Sequence, residues 1–241
     1  MNEENKNQAE SLNLKKMDND NPFFASEDKD IEQKLDLIKN ELRQGINLMK
    51  KTDNSVTFYG GARFNESHKV YEKVKNLSSR IVKELGYTII SGGGGGVMEA
   101  ASRGAFEAGG KTIGLTIKLP HEQKSNKYLQ EEVVFNYFFA RQVSMSYSTE
   151  VCIFCPGGFG TLFELFEVLT IKQTKKIGDI PIILYGSRYW KPMQKFIKKI
   201  LLKRYKTINE DESGLYIITD DEDKIIEIIK NSKIRNGEDS L

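Results

Sequence analysis

Apolar residues recur at spacings of three and four through Ile31, Leu35, Ile38, Leu42, Ile46 and Met49, a period that predicts an amphipathic helix over 31–50. Asp30 stands where it would cap the first turn. A lone helix of this length is marginal in water, so its apolar stripe calls for a partner surface on the chain or on another subunit. After Asn54 the pattern changes to short β-rich runs: 56–59 (VTFY), 87–91 (YTIIS), 112–117 (TIGLTI), 132–135 (EVVF), 151–155 (VCIFC), 180–185 (IPIILY) and 214–219 (GLYIIT). Helical spacing separates them, first in Val70, Val74, Leu77, Ile81 and Leu85, then across 97–108, 137–148, 161–174, 190–205 and 221–231. The alternation predicts an α/β fold: a Rossmann-like, doubly wound parallel sheet of about seven strands with an N-terminal helical extension. Ligands of such folds bind beyond the carboxyl ends of the strands, near the switch point.

Residues 1–25 are Asn- and Glu-rich with almost no periodic apolar content, the composition of a disordered tail. The expected organisation is therefore that tail, the helix within 26–52, one Rossmann-like domain over 53–233 and a C-terminal tail over 234–241. Against 36 Lys+Arg stand 34 Asp+Glu, so no broad electrostatic attraction to nucleic acid is expected. The apolar runs fall far short of the roughly 20 residues that span a bilayer as a helix. With 2 Cys and no basic segment leading into an apolar stretch, the expectation is a reduced, cytoplasmic protein without membrane insertion.

Five of the 20 Gly form the run Gly92–Gly96, between the strand ending at Ser91 and the helix opening Val97-Met98-Glu99. Glycines let backbone approach a ligand closely, and a helix N-terminus attracts anions, so Gly93, Gly94, Gly95 and Gly96 are candidate phosphate-binding residues. A dinucleotide fingerprint is disfavoured, because Val97 takes the last glycine position and the next strand ends Leu115-Thr116-Ile117-Lys118 without an acidic residue. No Gly-Lys-Ser/Thr follows, so a P-loop is absent too. A second turn, Pro156-Gly157-Gly158-Phe159-Gly160-Thr161-Leu162-Phe163-Glu164, again joins a strand to a helix start. Glu164, taken alone, reads as a residue that caps the helix or complements its dipole.

SGGGGGVMEAASRGAFEAGG, the linker LPHEQ, Arg141 after NYFFA, and PGGFGTLFELFEVLT resemble the LOG ("lonely guy") family of cytokinin riboside 5′-monophosphate phosphoribohydrolases, also known under a lysine decarboxylase label. The resemblance runs from about Val56 to Trp190 and is nearest the longer bacterial branch, which carries an N-terminal helical extension. It implies hydrolysis of the N-glycosidic bond of a nucleoside 5′-monophosphate to free base and ribose 5-phosphate. It further implies a catalytic pair, Arg141 and Glu164, phosphate and ribose binding by Gly157, Gly158, Gly160 and Thr161, and a homo-oligomer. The family usually shows Arg-Lys where this chain has Arg141-Gln142. By position, Met98, Phe159 and Gln142 are the candidates to touch the base.

The residue chemistry agrees with that implication. Breaking an N-glycosidic bond builds positive charge on the ribose, which a carboxylate such as Glu164 stabilises while it orients or deprotonates water. Arg141 is expected to fix the substrate and hold Glu164 ionised, since an opposite charge lowers a carboxylate pKa. No cofactor is called for: no lysine stands in a recognisable Schiff-base setting, and His68 and His121 are isolated from any ligand-spaced cluster. Cys152 and Cys155 lie three apart on one strand, hence on opposite faces, and read as core. The basic segment 191–206 reads as a solvated helix face, and Tyr137, Phe138 and Met145 as core or subunit interface. The rival reading is a module that holds a nucleotide or molybdenum cofactor without cleaving it; a general salvage nucleosidase is the enzymatic alternative.

Overall fold

The computed structural model describes residues 28–52, 54–119, 124–147 and 149–232. Seven strands form one sheet: β1 (Ser55–Tyr59), β2 (Thr88–Ser91), β3 (Thr112–Ile117), β4 (Glu131–Phe135), β5 (Val151–Phe154), β6 (Ile182–Tyr185) and β7 (Ile217–Thr219). Around them run α1 (Asp28–Lys50), α2 (Lys69–Leu85), α3 (Val97–Glu107), α4 (Phe138–Tyr147), α5 (Phe159–Gln173), α6 (Ser187–Phe196) and α7 (Glu222–Lys230). Every strand pair is parallel, in the order β4-β3-β2-β1-β5-β6-β7. The chain walks outward from β1 to β4, returns through α4 to lay β5 beside β1, and walks out again. Its topological switch point is thus the crevice beyond Tyr59 and Phe154, the last register pair of β1 and β5. The fold is the Rossmann-like α/β class expected.

The five inner strands are buried on both faces, which is why they read as apolar runs, whereas the edge strand β4 leaves Glu131, Glu132 and Val134 exposed. On one face Val56, Phe58, Val151, Ile153 and Ile183 pack with Val74, Leu77 and Ile81 of α2, Ala101 and Ala105 of α3, and Ile225 and Ile229 of α7. Cys155 belongs to this cluster and Cys152 does not, so the C-x-x-C pair is divided between the faces; both are buried and neither is in a disulfide. Burial pushes the Cys155 thiol far up, which makes it inert. On the other face the rings of Tyr59 and Phe154 stack at 4.3 Å and 6°.

The described chain divides into two compact units between Asn40 and Glu41, inside α1. In the first, α1 begins at Asp28, so Asp30 lies within the helix instead of capping it, and Ile31 and Leu35 are about half exposed. In the second, the buried line of α1 is Glu41, Gly45 and Met49, rotated from the apolar stripe read in the sequence. The Glu41 carboxylate accepts hydrogen bonds from Asn136 N at 2.9 Å, Asn136 Nδ2 at 2.7 Å and Tyr137 N at 3.4 Å, capping the start of α4. At Gly45 a Cβ would lie 2.2 Å from Ser144 Oγ. The tails expected over 1–25 and 234–241 lie outside the described residues, as does His121. Further along, the helix expected over 190–205 begins at Ser187 and widens after Phe196 into a π-type segment, Ile197–Arg204, and the basic residues of 191–206 are all exposed.

Candidate active site

Arg141 comes from the middle of α4 and Glu164 from the second turn of α5, and the two meet beside the switch point. Arg141 Nη1 donates to Glu164 Oε1 at 2.9 Å and Arg141 Nε to the Leu115 carbonyl at 2.6 Å. Both side chains are almost entirely shielded. A buried ion pair is costly to desolvate and strongly destabilising to break on one side only, so this is an arrangement that packing must hold in place. Glu164 is the sixth residue of its helix and spends its carboxylate on Arg141, which excludes the capping role that its position alone implied. The expected direction of its pKa is also corrected: burial pushes the carboxyl up and outweighs the opposing pull of Arg141. A glutamate raised in this way is nearer to accepting a proton at neutral pH than an exposed one.

The two glycine turns flank this pair. In the first, Gly92, Gly93, Gly94 and Gly96 are buried. A Cβ on Gly92 would lie 2.4 Å from Arg141 Nη2 and 2.7 Å from Met98 Sδ, which puts Met98 beside the pair. Gly93, at φ +72°, faces Thr116 Cγ2 at 2.2 Å from such a Cβ, and Gly96, at φ +66°, faces the Gly61 carbonyl oxygen at 2.2 Å. That same carbonyl accepts from Val97 N at 3.0 Å, so backbone of the β1–α2 loop already serves the start of α3. Asn126 ties the turn down, donating from Nδ2 to the Gly93 and Gly94 carbonyls at 3.0 and 3.1 Å. A small hollow lies alongside, lined by Gly92, Gly93, Gly94, Thr116, Ile117, Lys124 and Ser125.

The second turn is open. Gly158 caps α5 with no side-chain bond, and a Cβ on Gly158 or Gly160 would meet nothing within 4 Å. Helix α5 starts at Phe159, two residues earlier than its spacing predicts, and the Phe159 ring is 93% exposed at the lip of the turn. Thr161 is buried, its Oγ1 lying 2.1 Å from where a Cβ on Gly157 would be. Other helix starts have acceptors of their own: His68 Nδ1 at α2, Gly61 O at α3, Glu41 at α4, Asp220 at α6 and Asp221 at α7.

Gln142, expected to touch the base, is wholly buried, with its amide toward Glu167 of α5. Sequence reasoning missed Asn126, Tyr59 and Glu167; of these only Glu167 left a signal, its position one turn after Glu164 on the same helix face. Among the described residues no group of three or more His, Cys, Asp or Glu is arranged to hold a metal, and no helix is long and apolar enough to cross a membrane.

A parallel α/β protein with a buried Arg–Glu pair at its switch point is the class these observations define. The family model described as "Possible lysine decarboxylase" matches residues 98–229, more than half of the chain, and the chain belongs to that family, which is the LOG family. Among its relatives, the cytokinin riboside 5′-monophosphate phosphoribohydrolase of Rhodococcoides fascians is 23% identical over 163 residues, 66% of this chain and 81% of that protein. An uncharacterized protein of Archaeoglobus fulgidus is 29% identical over 126 residues, 51% of this chain and 78% of that one. The molybdenum cofactor carrier protein of Chlamydomonas reinhardtii superposes with a TM-score of 0.55 over 73% of this chain and 96% of that one at 24% identity, a likeness of fold alone.

Proposed function

We propose that this protein hydrolyses the N-glycosidic bond of a nucleoside 5′-monophosphate, AMP or a cytokinin riboside monophosphate, releasing free base and ribose 5-phosphate. The observation that carries this reading is the 2.9 Å Arg141–Glu164 pair, buried beside a helix start whose glycines face open space. In the proposed reaction the phosphate sits at the Gly157–Thr161 turn, where amide groups and the helix dipole favour an anion. Glu164 takes a proton from water as the water oxygen bonds to ribose C1′. The C1′–N bond breaks, its electron pair leaves with the base, the leaving nitrogen takes a proton from solvent, and Glu164 gives its own proton back to solvent. Arg141 keeps Glu164 oriented and opposes the burial that would neutralise it. Positioned proton transfer supplies about 10² to 10⁴ of the rate and remote phosphate binding the rest.

The test is to incubate the pure protein with AMP and with isopentenyladenosine monophosphate and to measure free base and ribose 5-phosphate. Glu164→Gln should bind nucleotide and lose turnover by about 10² or more. Binding without any release by the parent protein would overturn the reading in favour of a carrier, for which the fold likeness is the only support. Exposed Phe138, Phe139, Phe159, Phe163 and Phe166 on α4 and α5 support a homo-oligomer, since monomers rarely leave such area to water. Sedimentation at the monomer mass of 27.5 kDa at micromolar concentration would contradict it.

A further inference from the structure

From Glu41 onward, α1 lends a buried charge to the helix that carries Arg141. Glu41 is 4% exposed, and three N–H groups from the two residues joining β4 to α4 meet its carboxylate. Asn136 N and Nδ2 donate to Oε1 at 2.9 and 2.7 Å, and Tyr137 N donates to Oε2 at 3.4 Å. Among the described residues no cation forms an ion pair with it. Burying a carboxylate in this way has a cost that an apolar residue would avoid, so the acid at 41 answers those donors and the dipole of α4.

The same side of α1 follows α4 along its length. A Cβ on Gly45 would lie 2.2 Å from Ser144 Oγ and 2.8 Å from Phe135 Cζ, and Lys50 Nζ stands 5.8 Å from the centroid of the Tyr147 ring. Arg141 falls between these contacts. Its backbone N–H donates to the Tyr137 carbonyl at 3.2 Å, so the peptide that Glu41 fastens is also the one that closes the turn into Arg141. The far end of the side chain is bound to Leu115 of β3 and Glu164 of α5. Sheet and α5 thus fix the guanidinium, while α1 fixes the stretch of backbone from which it reaches.

We propose that Glu41 is a positioning residue for Arg141: by fastening Asn136 and Tyr137 it holds the first turn of α4, and with Gly45 against Ser144 it sets where the guanidinium meets Glu164. The bonds from Arg141 to the Leu115 carbonyl and to Glu164 are 2.6 and 2.9 Å long. A slide of α4 by about 1 Å would carry one or both beyond hydrogen-bond range. Glu41 touches no reacting atom and acts through the backbone of α4 alone. Its role rests on reading Arg141 and Glu164 as the working pair, but the order at Arg141 can be followed without any turnover.

The experiment follows hydrogen exchange at the ¹⁵N-labelled arginine Nε–H groups of the full chain, with Arg141→Lys to identify the Arg141 signal. Trp190 is the single tryptophan, and its Nε1–H, donated to the Phe154 carbonyl at 3.0 Å, is the internal standard on the β5 side of the sheet. In Glu41→Ala the Arg141 Nε–H should exchange about tenfold faster than in the parent, while Trp190 changes by less than about twofold. Glu41→Gln keeps one acceptor oxygen and should fall between the two. In turnover of AMP, kcat should drop by about tenfold or more and KM should hold within about twofold, because the proposed phosphate seat is on α5. Unchanged exchange at Arg141 in both variants overturns the proposal. Equal acceleration of Arg141 and Trp190 overturns it too, since Glu41 would then serve overall stability alone. Should Glu41→Ala fail to fold, Glu41→Gln carries the same comparison. A parent that hydrolyses no nucleotide would sink the phosphoribohydrolase reading and leave the exchange result standing.

Discussion

The turns Gly92–Gly96 and Gly157–Gly160 have the same place in the fold, each leading from a central strand into a helix, and both are rich in glycine, yet their glycines answer different needs. In the first, the space where side chains would be is filled by the protein itself: Arg141 at Gly92, Thr116 at Gly93, the Gly61 carbonyl at Gly96. In the second, Gly158 and Gly160 face open space and α5 begins without a side-chain cap. A glycine-rich strand-to-helix turn is therefore two devices in this molecule. One lets backbone and a buried guanidinium come close; the other leaves a helix start open to a guest.

That difference breaks most visibly at Gly96. An alanine there must hold φ near +66° and set its Cβ against backbone atoms of Gly61 and Ala62, which cannot swing aside as a flexible side chain would. The expected cost is about 3 kcal/mol. Thermal unfolding of Gly96→Ala should show a melting temperature lower by roughly 6–12 °C for a domain of this size. A melting curve superposing on that of the parent would remove the packing account of the first turn.

Gly92→Ala probes the same turn through chemistry. Its Cβ would collide with Arg141 Nη2, and the guanidinium whose Nη1 holds Glu164 must shift to make room. Misplacing a positioned group by about 1 Å can cost 10²-fold, so kcat/KM for AMP should fall by about that factor while the protein remains folded. Unchanged kinetics would mean that the Arg141–Glu164 geometry tolerates the displacement and is not what the first turn protects.

The five inner strands were legible because parallel strands buried on both faces are written as nearly continuous apolar runs. Legibility failed where burial was bought with polar or small residues. The inner line of α1 runs through Glu41, Gly45 and Met49, and neither a carboxylate that caps α4 nor a glycine against Ser144 registers as apolar. In the site, Glu164 read by itself as a cap, and only the family resemblance lifted it and Arg141 out of the background. The reason for Gly92 lies 49 positions away in Arg141, a contact that no local spacing encodes. Asn126 was invisible for the same reason, since its two bonds to the Gly93 and Gly94 carbonyls exist only once β3 and β4 are paired.

The second turn should behave in the opposite way. Gly158 has φ −100° and ψ −155°, which alanine adopts freely, and nothing stands within 4 Å of the added methyl. Stability of Gly158→Ala should stay within about 0.5 kcal/mol of the parent, the usual range for surface changes. Affinity for AMP, measured by calorimetry, should drop about tenfold, equivalent to about 1.4 kcal/mol, as the methyl takes up room at the helix start. Destabilisation with undiminished binding would reverse the assignment of the two turns.

A third strand-to-helix turn, β6 to α6, supplies an internal standard for an anion at a helix start. There the Asp220 carboxylate, from the end of β7, accepts from Gly186 N at 3.0 Å and Ser187 N at 2.9 Å, with the Ser187 hydroxyl as a further donor. Partial burial works to raise its pKa, but the donors from Ser187 and Gly186 prevail and hold it below the usual aspartate value. The sign follows from linkage: a depressed carboxyl contributes its full stability above the unfolded-state value near 3.9 and loses it as pH falls through the folded one. Asp220 is exposed, so solvent reduces the effect, and a cap of this kind is worth about 0.5–1 kcal/mol. Asp220→Asn should lower stability to denaturant by that amount at neutral pH, and the gap to the parent should close on acidification. Added inorganic phosphate should protect the parent and Asp220→Asn equally, because its proposed seat is α5 and not α6. Protection that appears only once Asp220 is removed would show phosphate competing for α6, and would take the distinction away from the second glycine turn.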